Sequence, residues 1–348
     1  MGTMGLAEIM DRAFSILRKY IKTIILYSIG YGVIGIAAMI ILIILAIIAI
    51  SISVTIIGMS LGLMDTGFTG SAYTIGITIG LFTYLFAILS FSSGYQVGIV
   101  KISGQEFFRK RYYAKEAISA TFKSILKVMG FIVLAFIFFI PVLVILGFII
   151  YLMFPVLDQI FTLNIYGTGE IITIISAVIL LLFAIFIILS YTVFLVFTVP
   201  ALIVENKGIF AAMKRSYQLV KDRFWRIMGY LILFALSAYA INLSLQSFIG
   251  LLSGIIYLFL KLLFNTDMDY ITFISIVYQF INWPIVIINY LIVTPIGSIM
   301  ITLLYFNRRF EKEGYDILLS LMRLKEKKEK ENMENVKGQS SDHSTQRI

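Results

Sequence analysis

Cysteine is absent from the 348 residues. That excludes disulfides, a thiol nucleophile, Cys-ligated zinc and iron–sulfur clusters. Histidine occurs once, as His343 in a polar tail, which leaves no Ser-His-Asp triad and no two-histidine zinc motif. His343 itself reads as a solvated tail residue. Charge is scarce too: 14% of the residues are Asp, Glu, Lys or Arg, where a soluble domain carries about 25%. No P-loop precedes a basic helix, and no GxGxxG follows a strand pattern.

What fills the chain instead is apolar. Hydrophobic residues make up 60% and aromatic residues 15%, and the mean hydropathy is +0.98. Such a chain cannot build a polar shell around a core, so it reads as an integral membrane protein. A bilayer crossing takes roughly 20 mostly apolar residues. Between the charges lie six runs, at 23–58, 71–100, 128–154, 171–203, 227–260 and 271–306. They are far too long for barrel strands of about 9–11 residues, so the expected fold is all-α with six transmembrane helices. The first run is also too long for the apolar part of a cleavable signal. Pro141, Pro284 and Pro295 are the expected kinks.

The basic residues orient these spans. Of the 28 lysines and arginines, all but Lys261 fall before the first run, between the second and third, between the fourth and fifth, or after the sixth. The other side carries Asp65, Asp158, Glu170, Asp267 and Asp269. By the positive-inside rule both termini are cytoplasmic. The net charge of +9 is accordingly read as facing anionic lipid, not nucleic acid.

The pattern is threefold: three hairpins, each introduced by a basic amphipathic stretch expected to lie in the cytoplasmic interface. In the first, Leu6, Ile9, Met10, Ala13, Phe14 and Leu17 recur at helical spacing. In the second, Ser103-Gly104-Gln105-Glu106 matches a capping box ahead of Phe108, Ile118, Phe122 and Ile125. In the third, Asn206 is the expected N-cap, and Ile209, Phe210, Met213, Tyr217, Val220 and Phe224 share an arc. Lys214, Arg215, Lys221, Arg223 and Arg226 flank that arc and are the candidate lipid-headgroup contacts. Trp225 and Tyr230 suit headgroup depth.

Two segments carry a resemblance. One runs from Phe210 through Arg215-Ser216 and Lys221 to Phe224-Trp225-Arg226, and the other from Leu304-Tyr305 through Asn307 and Arg309 to Glu313-Gly314 and Asp316. Together they resemble the bacterial and archaeal family named after the membrane domain of glycerophosphoryl diester phosphodiesterase, in which an acid usually stands where this chain has Asn307. The resemblance implies a stand-alone membrane domain in the plasma membrane of a prokaryote. It does not imply hydrolysis, which in that family resembles the work of a separate barrel with catalytic histidines.

No apolar run holds an ionisable group near its centre, which proton-coupled transport and intramembrane catalysis usually require. Glu205 lies just past the fourth run, where it reads as an interfacial partner for Lys207 or an arginine of the third amphipathic stretch, and Asn242, Gln246, Gln279, Asn282 and Asn289 lie within the last two runs. Gln279, Asn282 and Asn289, close to Pro284 and Pro295, are the candidate polar path. Residues 325–348 alternate Lys and Glu and then turn polar, a charged, largely disordered tail. The expected role is non-enzymatic and without cofactor. Anionic membrane lipids and a membrane or cytoplasmic protein are the expected partners, and a transporter or lipid translocator is the rival reading.

The topology is testable directly. Reporter fusions placed after Asn206 and in the tail should fluoresce as cytoplasmic green fluorescent protein and stay inactive as alkaline phosphatase. The reverse at either site would overturn the orientation.

Overall fold

In lipid a backbone must satisfy its own polar groups, which leaves helices and closed barrels as the spanning structures. The computed structural model describes residues 4–60, 66–107, 111–161, 168–264 and 269–314. Its regular elements are helical, with no strand among the described residues. They are α1 (Leu6–Ser60), α2 (Thr66–Gly104), α3 (Ala114–Phe161), α4 (Thr168–Leu195), α5 (Thr198–Val204), α6 (Ile209–Val220), α7 (Phe224–Phe264), α8 (Tyr270–Ile288) and α9 (Thr294–Glu313). A 3-10 turn, Lys221–Arg223, joins α6 to α7, and a π-helical turn, Asn289–Val293, joins α8 to α9. Among the described residues six helices are long and apolar enough to cross a membrane.

Several local expectations give way to stronger interactions. The Ser103 capping box does not form. Ser103 lies in the last turn of α2, where its hydroxyl bonds back to the Ile99 carbonyl at 2.8 Å. The helix that follows starts eleven residues later, at Ala114, where the Tyr113 N–H donates to Glu116. Asn206 is not the N-cap of α6. Gly208 holds that position, while Asn206 takes a left-handed φ of 49° and accepts a hydrogen bond from Lys127 at 3.0 Å. The first amphipathic stretch is continuous with the first span except at Tyr20, where φ is −113° and ψ 19°. Phe108, Asp65, Asp267 and the tail 325–348 lie outside the described residues.

The prolines act differently from one another. Pro284 sits inside α8, whereas Pro295 falls in the first turn of α9, where a missing N–H costs nothing. The break is the π turn between them, in which the Thr294 N–H reaches past one extra residue to the Asn289 carbonyl.

Packing is uneven along the bundle. α1 lies against α2 and α9, α2 against α3 and α5, α4 against α6, and α7 against α8. The buried core gathers at the end that carries the basic segments, around Ile9, Tyr27, Ile99, Phe197, Leu219 and Phe306. Elsewhere the long helices expose leucine, isoleucine and phenylalanine along their length, as a lipid-facing surface requires.

Close approach at that packed end is achieved by rings seated in glycine notches. Tyr27 and Tyr31 of α1 stack on each other with centroids 5.6 Å apart. Both are buried against α2. The Tyr27 hydroxyl donates to the Tyr95 carbonyl at 3.0 Å, and that of Tyr31 to the Phe91 carbonyl at 2.9 Å. A methyl group at Gly98 would come within 2.1 Å of the Tyr27 ring, and one at Gly94 within 2.5 Å of the Tyr31 hydroxyl. Neither ring is free to move aside, because its hydroxyl is anchored. Gly98→Ala should therefore cost about 1–3 kcal/mol by overpacking. Gly147→Ala, which meets nothing within 4 Å, should leave stability level or raise it. Thermal unfolding in mild detergent separates the two, and equal melting would overturn this account of the notch.

Candidate functional site

Where the fourth span ends, the chain turns through α5 into Glu205, whose side chain is 9% exposed. A carboxylate there needs partners, since an unpaired buried charge is strongly unfavourable. Four groups converge on it. Lys207 approaches at 2.6 Å and Arg215 of α6 at 3.0 Å. The Tyr305 hydroxyl of α9 donates to it, and Arg309, one turn on, lies at 3.5 Å. Glu313 closes the network by pairing with Arg215 and with Arg309 at 3.2 Å.

The helical periodicity of α9 explains the arrangement. Tyr305, Arg309 and Glu313 are spaced by four residues and so form one stripe, which faces α6. The neighbouring stripe makes a second set of ties. Arg308 donates to the Leu219 carbonyl at 3.1 Å and pairs with Glu311, which also holds Arg223 at 3.0 Å. Lys312 donates to the Gln218 carbonyl at 2.8 Å and pairs with Asp222. Between them Ser216, wholly buried, donates to the Phe194 carbonyl and accepts from the Phe197 N–H. These ties fasten the last turns of α9, the short helix α6 and the end of α4 into one unit.

Burial alone would raise the Glu205 carboxyl, but hydrogen bonds from Lys207, Tyr305 and Arg215 and the charge of Arg309 hold it at about 2. Its ionised form is thus the folded form's partner to three cations.

The five candidate headgroup contacts separate into two groups. Arg215 is committed to Glu205 and Glu313 with its side chain 16% exposed, and Arg223 is paired with Glu311. Lys214, Lys221 and Arg226 are exposed and enter no ion pair among the described residues. They lie beside exposed rings: Phe210, Tyr217 and Trp225 are 65%, 52% and 69% exposed. Phe210, Lys214, Tyr217 and Lys221 follow one another at intervals of four, three and four along the outer face of α6 and into the 3-10 turn that ends it. The inner face is Ala212, Ser216, Leu219 and Val220.

The candidate polar path is not gathered into one place. Gln279 and Asn282 are exposed on α8, whereas Asn289 turns to α7 and donates to the Asn242 carboxamide. Among the described residues no group of three or more His, Cys, Asp or Glu is placed to hold a metal ion.

The sequence offered Glu205 as a partner for Lys207 or an arginine of the third amphipathic stretch, and both Lys207 and Arg215 pair with it. It did not join them to Tyr305, Arg309 and Glu313, whose one link to Arg215 was the pair of family-like segments, about ninety positions apart, that meet here. Residues 121–303 match the family model described as a domain of unknown function (DUF7847), more than half of the chain. The match takes in Glu205 and Arg215 and stops just short of Tyr305. No curated protein and no solved structure matches the chain.

The Glu205 network has a pH signature. A carboxyl depressed from an ordinary 4.5 to about 2 contributes stability that is complete above the ordinary value and lost as pH falls through the folded one. The melting temperature in detergent should decline between about pH 4.5 and about pH 2. Glu205→Gln should start lower by about 3 kcal/mol and show a shallower decline over that window. A parallel decline in both proteins would remove Glu205 as the cause.

Proposed function

The chain belongs to the DUF7847 family, and on that premise and the geometry above we propose that it is a non-enzymatic membrane protein that organises anionic lipid at the cytoplasmic face. The observation that carries the reading is the outer face of α6 and of the turn that follows it, where exposed rings alternate with Lys214 and Lys221, which enter no ion pair among the described residues, on a helix tied from behind by the Glu205 network. Interfacial helices set aromatic and aliphatic groups at the acyl boundary and cations among headgroups. Here the charges that face inward are neutralised by Glu205, Glu311 and Glu313, while Lys214, Lys221 and Arg226 point out with none of these acids paired to them. The inner network then serves to aim the outer one.

In this reading α1–α2, α3–α4 and α7–α9 are three membrane hairpins in a prokaryotic plasma membrane with both termini cytoplasmic. The contact between the two family-like segments, through Arg215 and Glu313, supports a kinship with the membrane domain of glycerophosphoryl diester phosphodiesterase. The same platform, rigid and cationic, suits a cytoplasmic or membrane protein partner. Transport is the second reading, supported by the Asn242–Asn289 contact beside the π turn.

The test is lipid retention by the whole protein. After purification in mild detergent and exchange into mixed neutral and anionic vesicles or discs, mass spectrometry should find anionic lipid enriched around it. Lys214→Gln with Lys221→Gln and Arg226→Gln should cut that enrichment at least about tenfold, at roughly 1 kcal/mol per basic residue. Their melting temperature should be unchanged, since none is in the inner network. Equal enrichment in the variant would overturn the proposal.

A further inference from the structure

α8 packs chiefly against α7. The rings of Tyr270 and Phe273 meet that of Tyr257 at 5.1 and 5.5 Å, and Ile285 is buried. At 3.6 residues per turn Ser275, Gln279, Asn282 and Val286 fall within an arc of about 60° that none of Tyr270, Phe273 and Ile285 shares. All four are exposed. Ser275 returns its hydroxyl to the Ile271 carbonyl at 2.8 Å, but the Gln279 and Asn282 amides take no hydrogen bond among the described residues. Gln246 of α7 is a third exposed amide, at the same level, since Tyr278 donates to its carbonyl at 3.4 Å. Asn289 is the contrast: two turns beyond Asn282, its amide is met by Asn242 of the same chain.

These amides sit inside the apolar belt, not at its rim. Measured along the helix from Asp269, Gln279 and Asn282 stand about 15 and about 20 Å in, and Tyr305 lies about 35 Å further on. Ile271 and Ile276 are exposed before them, and Val286, Ile287 and Ile288 after. A carboxamide facing hydrocarbon without a hydrogen bond is strongly unfavourable, and lipid tails offer neither donor nor acceptor. Because a carboxamide carries both, its complement is another carboxamide at the same depth. Two copies of this chain inserted in one orientation, related by a two-fold axis along the membrane normal, supply that complement, since the axis sets each residue of α8 opposite itself. Polar side chains bonded across helices are an established means of association in lipid.

We propose that this face of α8 is the contact between two copies of the chain in the membrane. Each Gln279 pairs with its counterpart on the second copy and each Asn282 likewise, with Ser275 and Val286 packed on either side of them. The cations of α6 take no part, so the pair forms in neutral and anionic lipid alike and does not rest on the lipid-organising role.

The chain lacks cysteine, so a single introduced thiol can bridge only to another molecule. Full-length Ser275→Cys and Val286→Cys, oxidised with copper phenanthroline in native membranes and in vesicles of neutral phospholipid, should form disulfide-linked dimers, which requires like residues to come within about 7 Å between Cα atoms. Phe280→Cys on the other side of α8 and Val144→Cys on α3, both at exposed positions, should crosslink far more slowly. Counting photobleaching steps of the fluorescently tagged, cysteine-free chain at falling density in the same vesicles gives the dimer dissociation constant without a thiol. Gln279→Leu with Asn282→Leu should raise that constant at least about tenfold, equivalent to about 1.4 kcal/mol over the two amide pairs, and leave the melting temperature of the monomer level or higher. Gln279→Met alone keeps the test if the double variant fails to fold. A single bleaching step at every density, equal crosslinking from all four positions, or a dissociation constant unmoved by loss of the amides would overturn the proposal. So would a dimer seen only in anionic lipid, or an adduct of Ser275→Cys with a different protein in place of the dimer.

Discussion

A carboxylate at the end of a membrane span must either be matched or stay in water, and Glu205 is matched. Its partners come from three separate parts of the chain: the turn after α5, the middle of α6 and the last turns of α9. Because the cations need it as much as it needs them, these parts have one mutually satisfying arrangement. Replacing such a network by apolar groups can be neutral, whereas removing one member leaves charge uncompensated. The network therefore specifies geometry more than it adds stability, and what it specifies is the angle at which α6 packs against α4 and α9. The exposed rings and lysines of α6 inherit their direction from a carboxylate on the other side of the helix.

The packed end and the lipid-facing lengths follow different rules. Along the lipid, burial of side chains yields little, because lipid tails are as apolar as leucine, and the long helices are accordingly exposed over much of their surface. At the basic end, tyrosine rings fill glycine notches and give their hydroxyls to backbone carbonyls. Small residues that let backbones approach, with hydroxyl groups as glue, are the expected means of association where hydrophobic pressure is weak. Between α2, α3 and α4 the helices do not close fully and leave a cleft of about 490 Å³.

The helical membrane class and six sufficiently long apolar helices were legible, because run length and the segregation of lysine and arginine are properties of composition that no tertiary contact can reverse. Helix termini were less so. Ser103 and Glu106 fit a capping pattern, but the hydroxyl found a nearer acceptor at Ile99, and Glu106 went to Lys19, 87 positions away. Arg215 looked like any other cation on a basic helix. Only the fold, by bringing Glu205 and Glu313 to it, distinguishes it from Lys214 beside it. Periodicity tells which residues share a helix face but not which face meets protein: of the expected arc only Val220 is fully buried, beside Ala212, Ser216 and Leu219, while Phe210 and Tyr217 turn outward.

The position of α9 in the order of synthesis has its own consequence. Residue 307 reaches back to residue 4, where the Asn307 side chain accepts from the Met4 N–H at 3.2 Å, and the same helix supplies Tyr305, Arg309 and Glu313 to the network. Until the ribosome has delivered that stretch, Arg215 has Glu205 but not Glu313, and the first turn of the chain has no counterpart to rest on. The earlier helices can be threaded into the bilayer one after another, yet the packed end cannot lock before the last of the described helices arrives. A nascent chain arrested before α9 is a bundle already inserted but still open at its basic face.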